Sequence, residues 1–262
     1  MTNTAAEHRD NDAMSTQTAF VTGAAKGIGK AIVEQLAAEG YRVVAVDRLD
    51  AVHDVAGALR AAGHDVHAEI LDIRDRAAVA ALLARFAPLD VIVNNAAVTS
   101  THRFEDLTEE MFRETFDINV VGTFVVAQEG ARLMRNGGRI VNVASRSFAG
   151  APQMAHYAAS KTAVVGLTRA MAIDLSPRDI RVNAVAPGVV DTDMLHYMTP
   201  ERQKAMLGLQ LLGRIGQPQD IARAVSFLAS RDNTYMTGHV LVVDGGRSLG
   251  QGQLPPEADP ND

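Results

Sequence analysis

Tyr157 and Lys161 stand four residues apart in the segment Tyr157-Ala158-Ala159-Ser160-Lys161, and Ser145 lies twelve residues upstream at the end of an apolar run. On a helix, residues at that spacing share a face with their side chains adjacent. A cation beside a phenol favours the phenolate and lowers a pKa that starts near ~10. That equips a tyrosine to act as acid and base near neutral pH. A solitary Tyr-x-x-x-Lys is ordinarily a solvated surface pair. Here the pair has company: a Gly-rich turn near the N-terminus, Asn-Asn-Ala at 94–96, and Pro187-Gly188 after a later apolar run.

Such residues need a frame that carries them from distant parts of the chain to one place. Short apolar runs occur at 19–22, 42–46, 66–71, 91–94, 140–144, 182–186 and 240–243. Most are rich in Val and Ile with little polar alternation, as strands buried on both faces should be. Amphipathic segments at 28–39, 76–86, 108–134, 157–175 and 218–230 fall between them. This alternation predicts an α/β fold, a single doubly wound Rossmann-type domain with a seven-stranded parallel sheet and helices on both faces. The domain is expected over 17–250. The polar leader 1–16 and the proline- and acid-containing tail 251–262 are expected to be disordered.

Composition removes several function classes. The 262 residues carry a net charge of −6 with no basic run, so a nucleic-acid partner, which needs clustered Lys and Arg, is excluded. With no cysteine, disulfides and thiolate chemistry are excluded too. The eight histidines are scattered without an HExxH pattern, and no metal site is expected. No stretch approaches the ~18 apolar residues of a membrane span. The first sixteen residues lack the apolar segment of a secretory signal. A soluble, cytoplasmic protein with no membrane partner is the expectation.

Gly23, Lys26, Gly27, Ile28 and Gly29 belong to a turn between the first predicted strand and the first helix. Glycines there let the backbone turn tightly and approach a pyrophosphate resting on the helix N-terminus. Asp47 ends the second strand, where a carboxylate accepts hydrogen bonds from adenosine ribose hydroxyls and repels a 2′-phosphate. That favours NAD. Lys26 and Arg48 argue the other way, since either could meet a phosphate, so NADP stays open. Asp72 and Ile73 close the third strand, at the height of an adenine edge, although a strand-end Asp also serves as a helix cap. Asn94, Asn95, Ala96 and Ala97 end the fourth strand, where small residues let the backbone pass close to a cofactor ribose. Asn119 falls inside a strongly helical segment, where Asn competes with the backbone; a local kink or a function must account for it.

In order and spacing, the segments 22–29, 94–97, Asn119, Ser145, 157–161 and 187–192 resemble the short-chain dehydrogenase/reductase family in its shorter, single-domain form. The resemblance spans roughly 18–249. It implies that Tyr157 is the general acid/base, that Lys161 lowers the Tyr157 pKa and holds the nicotinamide ribose, and that Ser145 orients the reacting oxygen. By the same resemblance Asn119 distorts its helix so that a main-chain carbonyl anchors a water in a proton relay. Val190 and Thr192 contact the nicotinamide carboxamide after Pro187-Gly188 turns the chain. One departure is visible: the family usually ends Asn-Asn-Ala with Gly, where this chain has Ala97, so that position must adopt a φ/ψ open to a β-carbon.

The substrate pocket is expected around Val98, Ser145, Ser147, Met154, Tyr157 and Met194, flanked by His102, Arg146 and His156. Arg146 directly follows Ser145 and points away from it if strand geometry persists. Val98, Phe148, Met154, Val189, Met194, Leu195 and Met198 imply an apolar secondary alcohol as substrate. His102, Arg103 and His196 keep a polyol or an acid open. The reading is an NAD-dependent secondary-alcohol dehydrogenase; an NADPH-dependent ketoreductase is the alternative. A non-catalytic nucleotide-binding regulator has no need of all four of Asn119, Ser145, Tyr157 and Lys161. The family resemblance, with the apolar segments at 108–134 and 157–175, implies a homotetramer.

Overall fold

Seven β-branched runs pair into one parallel sheet in the order β3-β2-β1-β4-β5-β6-β7. The computed structural model describes residues 16–192, 195 and 200–250. The strands are β1 (Thr18–Thr22), β2 (Arg42–Asp47), β3 (Val66–Ile70), β4 (Leu89–Asn94), β5 (Met134–Val143), β6 (Arg181–Pro187) and β7 (Val240–Val243). β1 and β4 are buried along their whole length, which explains why their sequences show no polar alternation. The chain runs outward from β1 to β3 and returns to lay β4 on the other side of β1. The order thus reverses between β1 and β4, and a crevice opens there at the carboxyl ends of the strands.

Helices cover both faces. On one face α1 (Gly27–Ala38), α2 (Val52–Ala61) and, later in the chain, α8 (Pro218–Ala229) pack on a core that includes Val21, Ile32, Val43 and Ile221. On the other lie α3 (Arg76–Arg85), α4 (Glu109–Phe116), α5 (Thr123–Leu133) and α6 (Ala155–Leu175), over Phe20, Leu83, Ile92 and Ile140. A further helix, α7 (Pro200–Leu207), precedes α8. Among the described residues no helix is long and apolar enough to cross a membrane, and no group of His, Cys, Asp or Glu is placed to hold a metal ion.

Two elements depart from the sequence expectation in ways that bear on function. The single helix expected at 108–134 is divided: α4 and α5 are joined by a π-helical turn, Asp117–Gly122. A π turn widens the helix by one residue and is most often found at functional sites. β5 begins at Met134 rather than at 140: Met134 pairs with Leu89, the register then shifts across Arg135, Asn136, Gly137 and Gly138, and regular pairing resumes at Arg139, with no apolar run to announce the earlier start. It ends at Val143, and the chain turns at once into the 3-10 helix Arg146–Ala149.

Candidate active site

The π turn positions Asn119. Its side chain is fully buried and spans two segments of the chain. Oδ1 accepts from the Val98 N–H at 2.8 Å, while Nδ2 donates to the Val98 carbonyl and to Ser160 Oγ, each at 3.0 Å. Ser160 Oγ in turn donates to the Tyr157 carbonyl at 2.8 Å, and Thr123 Oγ1 donates to the Asn119 carbonyl at 2.9 Å. An Asn unfavourable in a regular helix is thus satisfied at all of its side-chain bonds by leaving that regularity. Its amide ties the loop after β4 to the first turn of α6.

α6 begins two residues before Tyr157, so Tyr157 and Lys161 share its first turns. Ser145 follows β5 with extended backbone. Its Oγ accepts from the Ser147 N–H and donates to Ser147 Oγ, each at 3.1 Å, and it stands near enough to the Tyr157 phenol to lower its pKa. Lys161 is buried; Nζ donates to the Val143 carbonyl at 2.7 Å and lies 5.7 Å from the Tyr157 ring centroid. Asn119, Ser145, Tyr157 and Lys161 therefore converge at the carboxyl ends of β4 and β5.

The electrostatics correct one expectation. Burial raises the Tyr157 pKa, and the smaller opposing influence comes from the neighbouring Ser145 rather than from Lys161. The reason is geometric: the Lys161 ammonium bonds a backbone carbonyl and sits over the ring face. Its own pKa is lowered from 10.5 to about 8 by burial. A phenol beside a serine, with a buried amine on its ring side, can give or take a proton at an oxygen placed between the two hydroxyls.

The glycine-rich turn is built to pack backbone against the loop that follows β4. Gly23 has φ +67, and a β-carbon there would lie 2.7 Å from Ala96 Cα; one on Gly29 would lie 1.9 Å from the Gly23 carbonyl oxygen. Lys26, exposed, occupies the N-cap position of α1 without a side-chain cap bond, which leaves the positive end of the helix to another acceptor. Thr22 Oγ1 accepts from the N–H groups of Asn95 and Ala96, both at 3.0 Å. Asn95 Nδ2 donates to the carbonyls of Thr22 (3.1 Å) and Gly23 (3.0 Å). Asp47 accepts from the Ala25 N–H through Oδ2 and the Leu49 N–H through Oδ1, each at 3.0 Å. Its carboxylate thus stands over the turn, with Arg48 exposed beside it.

The remaining expected cofactor residues are placed unevenly. Pro187 ends β6, and the Gly188 N–H donates to the Val243 carbonyl at 2.9 Å. Val190 bridges Gly216, and the Thr192 methyl would be 3.3 Å from a β-carbon on Gly27, so this segment closes over the glycine turn. Ile28 packs on the core from its partly buried position. Asp72 is exposed, and Arg74 engages both of its carboxylate oxygens at 2.5–3.0 Å. It does not cap a helix, since Asp75 caps α3. Ile73 is buried, and a β-carbon on Gly122 would meet its Cδ1 at 2.5 Å. Ala97 is exposed and takes an ordinary φ; among described non-glycine residues the positive values belong to Gln153 and Asp179. The departure from the family pattern therefore costs no strain.

On the substrate side, Val98, Phe148 and Met154 are partly buried, Ser147 flanks Ser145, and Leu195 is buried. Met194, His196 and Met198 lie outside the described residues. The orientation argument for Arg146 fails because the strand ends at Val143, and the 3-10 helix that follows abolishes the alternation of sides. Arg103 faces Glu105 at 3.6 Å on the surface. Three contributors were not singled out by type and spacing: Thr22, which precedes the first glycine; Ser160, inside the Tyr-x-x-x-Lys segment; and Asn142, which accepts from Asn94 and donates to Thr168, both at 2.9 Å. All three act across long stretches of chain.

A family model for enoyl-(acyl carrier protein) reductases matches residues 23–248. The hydroxy(phenyl)methyl-succinyl-CoA dehydrogenase subunit BbsD of Thauera aromatica is 37% identical over 244 residues, covering 90% of this chain and 98% of its own. Among solved structures, a blue fluorescent protein from a metagenomic library, in complex with NADPH, superposes with a TM-score of 0.82 at 37% identity, covering 88% of this chain and 97% of its own. A short-chain dehydrogenase/reductase of Serratia marcescens does so with 0.84 at 40% identity, covering 88% and 98%. Likeness of this extent, on a fold that gathers Asn119, Ser145, Tyr157 and Lys161 beside a glycine turn, makes the chain an oxidoreductase of the short-chain dehydrogenase/reductase family.

Proposed function

We propose that the protein transfers a hydride between NAD and a small to medium, largely apolar secondary alcohol or ketone, with Tyr157 as the general acid/base. The observation that carries the reading is the convergence of Tyr157 with the buried Lys161, 5.7 Å from its ring centroid, and with Asn119, which is tied through Ser160 to the Tyr157 carbonyl. The residues present fit a dinucleotide: α1 opens after β1 with no side-chain cap on its N-terminus, and Gly23 and Gly29 let the turn before it pack tightly on Asn95 and Ala96 at the end of β4. Gly23, Lys26, Gly27, Ile28 and Gly29 would hold the pyrophosphate, Asp47 the adenosine ribose, and Lys161 with Tyr157 the nicotinamide ribose. Asn95, Ala96, Pro187, Gly188, Val190 and Thr192 would line its path. When bound, the nicotinamide supplies the hydride acceptor that no side chain here provides. In ketone reduction the Tyr157 phenol gives its proton to the carbonyl oxygen that Ser145 holds; in alcohol oxidation it is the Tyr157 phenolate, whose formation the neighbouring Lys161 charge has to favour against burial, that takes the hydroxyl proton as the carbonyl forms. Asn119 keeps the loop at Val98 and the start of α6 in register while this happens. Val98, Phe148, Met154 and Leu195 support an apolar substrate.

Asp47 supports NAD and the oxidative direction, because cells generally hold NAD oxidised. The second reading, NADPH-dependent reduction, is favoured by the exposed Lys26 and Arg48 and by the NADPH held by the metagenomic relative. Asp47→Ala is expected to shift the ratio of specificity constants toward NADP, since it removes the charge that repels a 2′-phosphate. It also frees the Ala25 N–H, so turnover with NAD should fall. A wild-type protein that already prefers NADP would overturn this part of the reading. A panel of cyclic alcohols, polyols, hydroxy acids and their ketones, run with both cofactors, tests the substrate class; clear preference for polyols or hydroxy acids would contradict the apolar reading.

The assembly proposed is a homotetramer. Phe104, Phe112, Val121, Phe124 and Ile173 are exposed around α4, α5 and α6, and Val242 and Leu249 are exposed at and beyond β7. Large apolar surfaces of this kind mark interfaces. Light scattering at micromolar concentration should return four times the chain mass; a stable monomer would refute the proposal.

A further inference from the structure

His156 immediately precedes Tyr157, is 1% exposed, and has no part in the proton transfer outlined above. Its Nε2 lies 3.0 Å from Ser100 Oγ, and its ring is 5.8 Å from that of His102. The His102 N–H donates to the Gln153 carbonyl at 2.9 Å, and Gln153 holds a left-handed φ of +60, a conformation that costs free energy in a residue with a side chain. The loop after β4 is thus fastened at three successive points: Val98 to Asn119, Ser100 to His156, and His102 to the segment leading into α6. His156 Nδ1 is buried with no partner. An unpaired acceptor is a lesser cost than an orphaned N–H, so the proton belongs on Nε2, donated to Ser100. Burial, and then His102, lower the His156 pKa, consistent with a neutral ring.

We propose that His156 is a positioning residue: through Ser100 it fixes the substrate-facing loop 98–102 against the start of α6, and so sets where the substrate oxygen meets Tyr157. The inference rests on the acid/base reading of Tyr157, and its test separates the two. Ser100→Ala and His156→Asn should each lower kcat/KM for 1-phenylethanol roughly 10- to 100-fold, as small misplacements near a reacting centre do, with the cofactor KM unchanged, and in Ser100→Ala, at an exposed position, with the melting temperature unchanged as well. His156→Gln, whose amide reaches the Nε2 position, should recover most of the loss. The Ser100→Ala/His156→Asn double variant should be no worse than either single one. Hydrogen exchange at the Val98 and His102 amides, which needs no substrate, should quicken in both single variants. Additive losses, failure of Gln to rescue, or unchanged exchange would overturn the proposal. Retained turnover in Tyr157→Phe would instead overturn the reading beneath it, and leaves the exchange result to judge the tie itself.

Discussion

Tyr157→Phe is expected to lose ~10²–10⁴-fold in turnover, the contribution typical of a positioned acid/base, while still binding NAD. The substitution deletes one oxygen and keeps the ring on which Lys161 rests, 5.7 Å from its centroid. Ser145 retains its bond from the Ser147 N–H, so the serine stays where it was. Nothing in the glycine turn or at Asp47 touches the phenol, which is why binding should survive. Cofactor titration by fluorescence alongside steady-state turnover separates the two effects. Near wild-type turnover would remove Tyr157 from the chemistry.

Lys161→Met should make the protein less active and more stable at once. Burial holds the Lys161 ammonium at a pKa of about 8 against 10.5 for a solvated lysine. At pH 7 the folded chain therefore carries a charge it disfavours by roughly 3 kcal/mol. The sign follows from proton counts: between about pH 8 and 10.5 the unfolded chain holds the proton that the folded one has released, so stability rises with pH across that window. Methionine removes the charge and keeps an unbranched stem. Against this stands the charge-assisted bond to the Val143 carbonyl, whose loss costs about 1.5–3 kcal/mol, leaving a net gain of at most about 1.5 kcal/mol. Activity should fall at least ~10²-fold, and cofactor binding should weaken with the ribose contact gone. Urea denaturation at pH 7 without cofactor checks the stability arm; a variant less stable than the parent would show that the buried ammonium is satisfied rather than strained. Destabilising groups kept at a site are the ordinary sign that function retains them.

The sheet was readable because its signal is local. Runs of Val and Ile such as those of β2 and β4 declare burial on both faces, and the glycine turn sits where a strand meets a helix. Asn119 was readable as a contradiction, a poor helix former in a helical stretch, and the π turn resolves it. What the residues could not disclose were contacts made by folding. Thr22 meets Asn95 across more than seventy residues, and Ser100 meets His156 across more than fifty; neither pairing leaves a pattern in the chain. The early end of β5 at Val143 misdirected the orientation assigned to Arg146 for the same reason. Rotamer choice and element boundaries are set by neighbours in space rather than in sequence.

The most direct test of the central claim is the change in nicotinamide absorbance when the purified protein meets a panel of secondary alcohols with NAD, and ketones with the reduced cofactor, in parallel with Tyr157→Phe. The account predicts turnover of at least one secondary alcohol or ketone, faster with NAD than with NADP, and abolished by that single oxygen. Turnover that survives the substitution, or none with any alcohol or ketone despite cofactor binding, would contradict it.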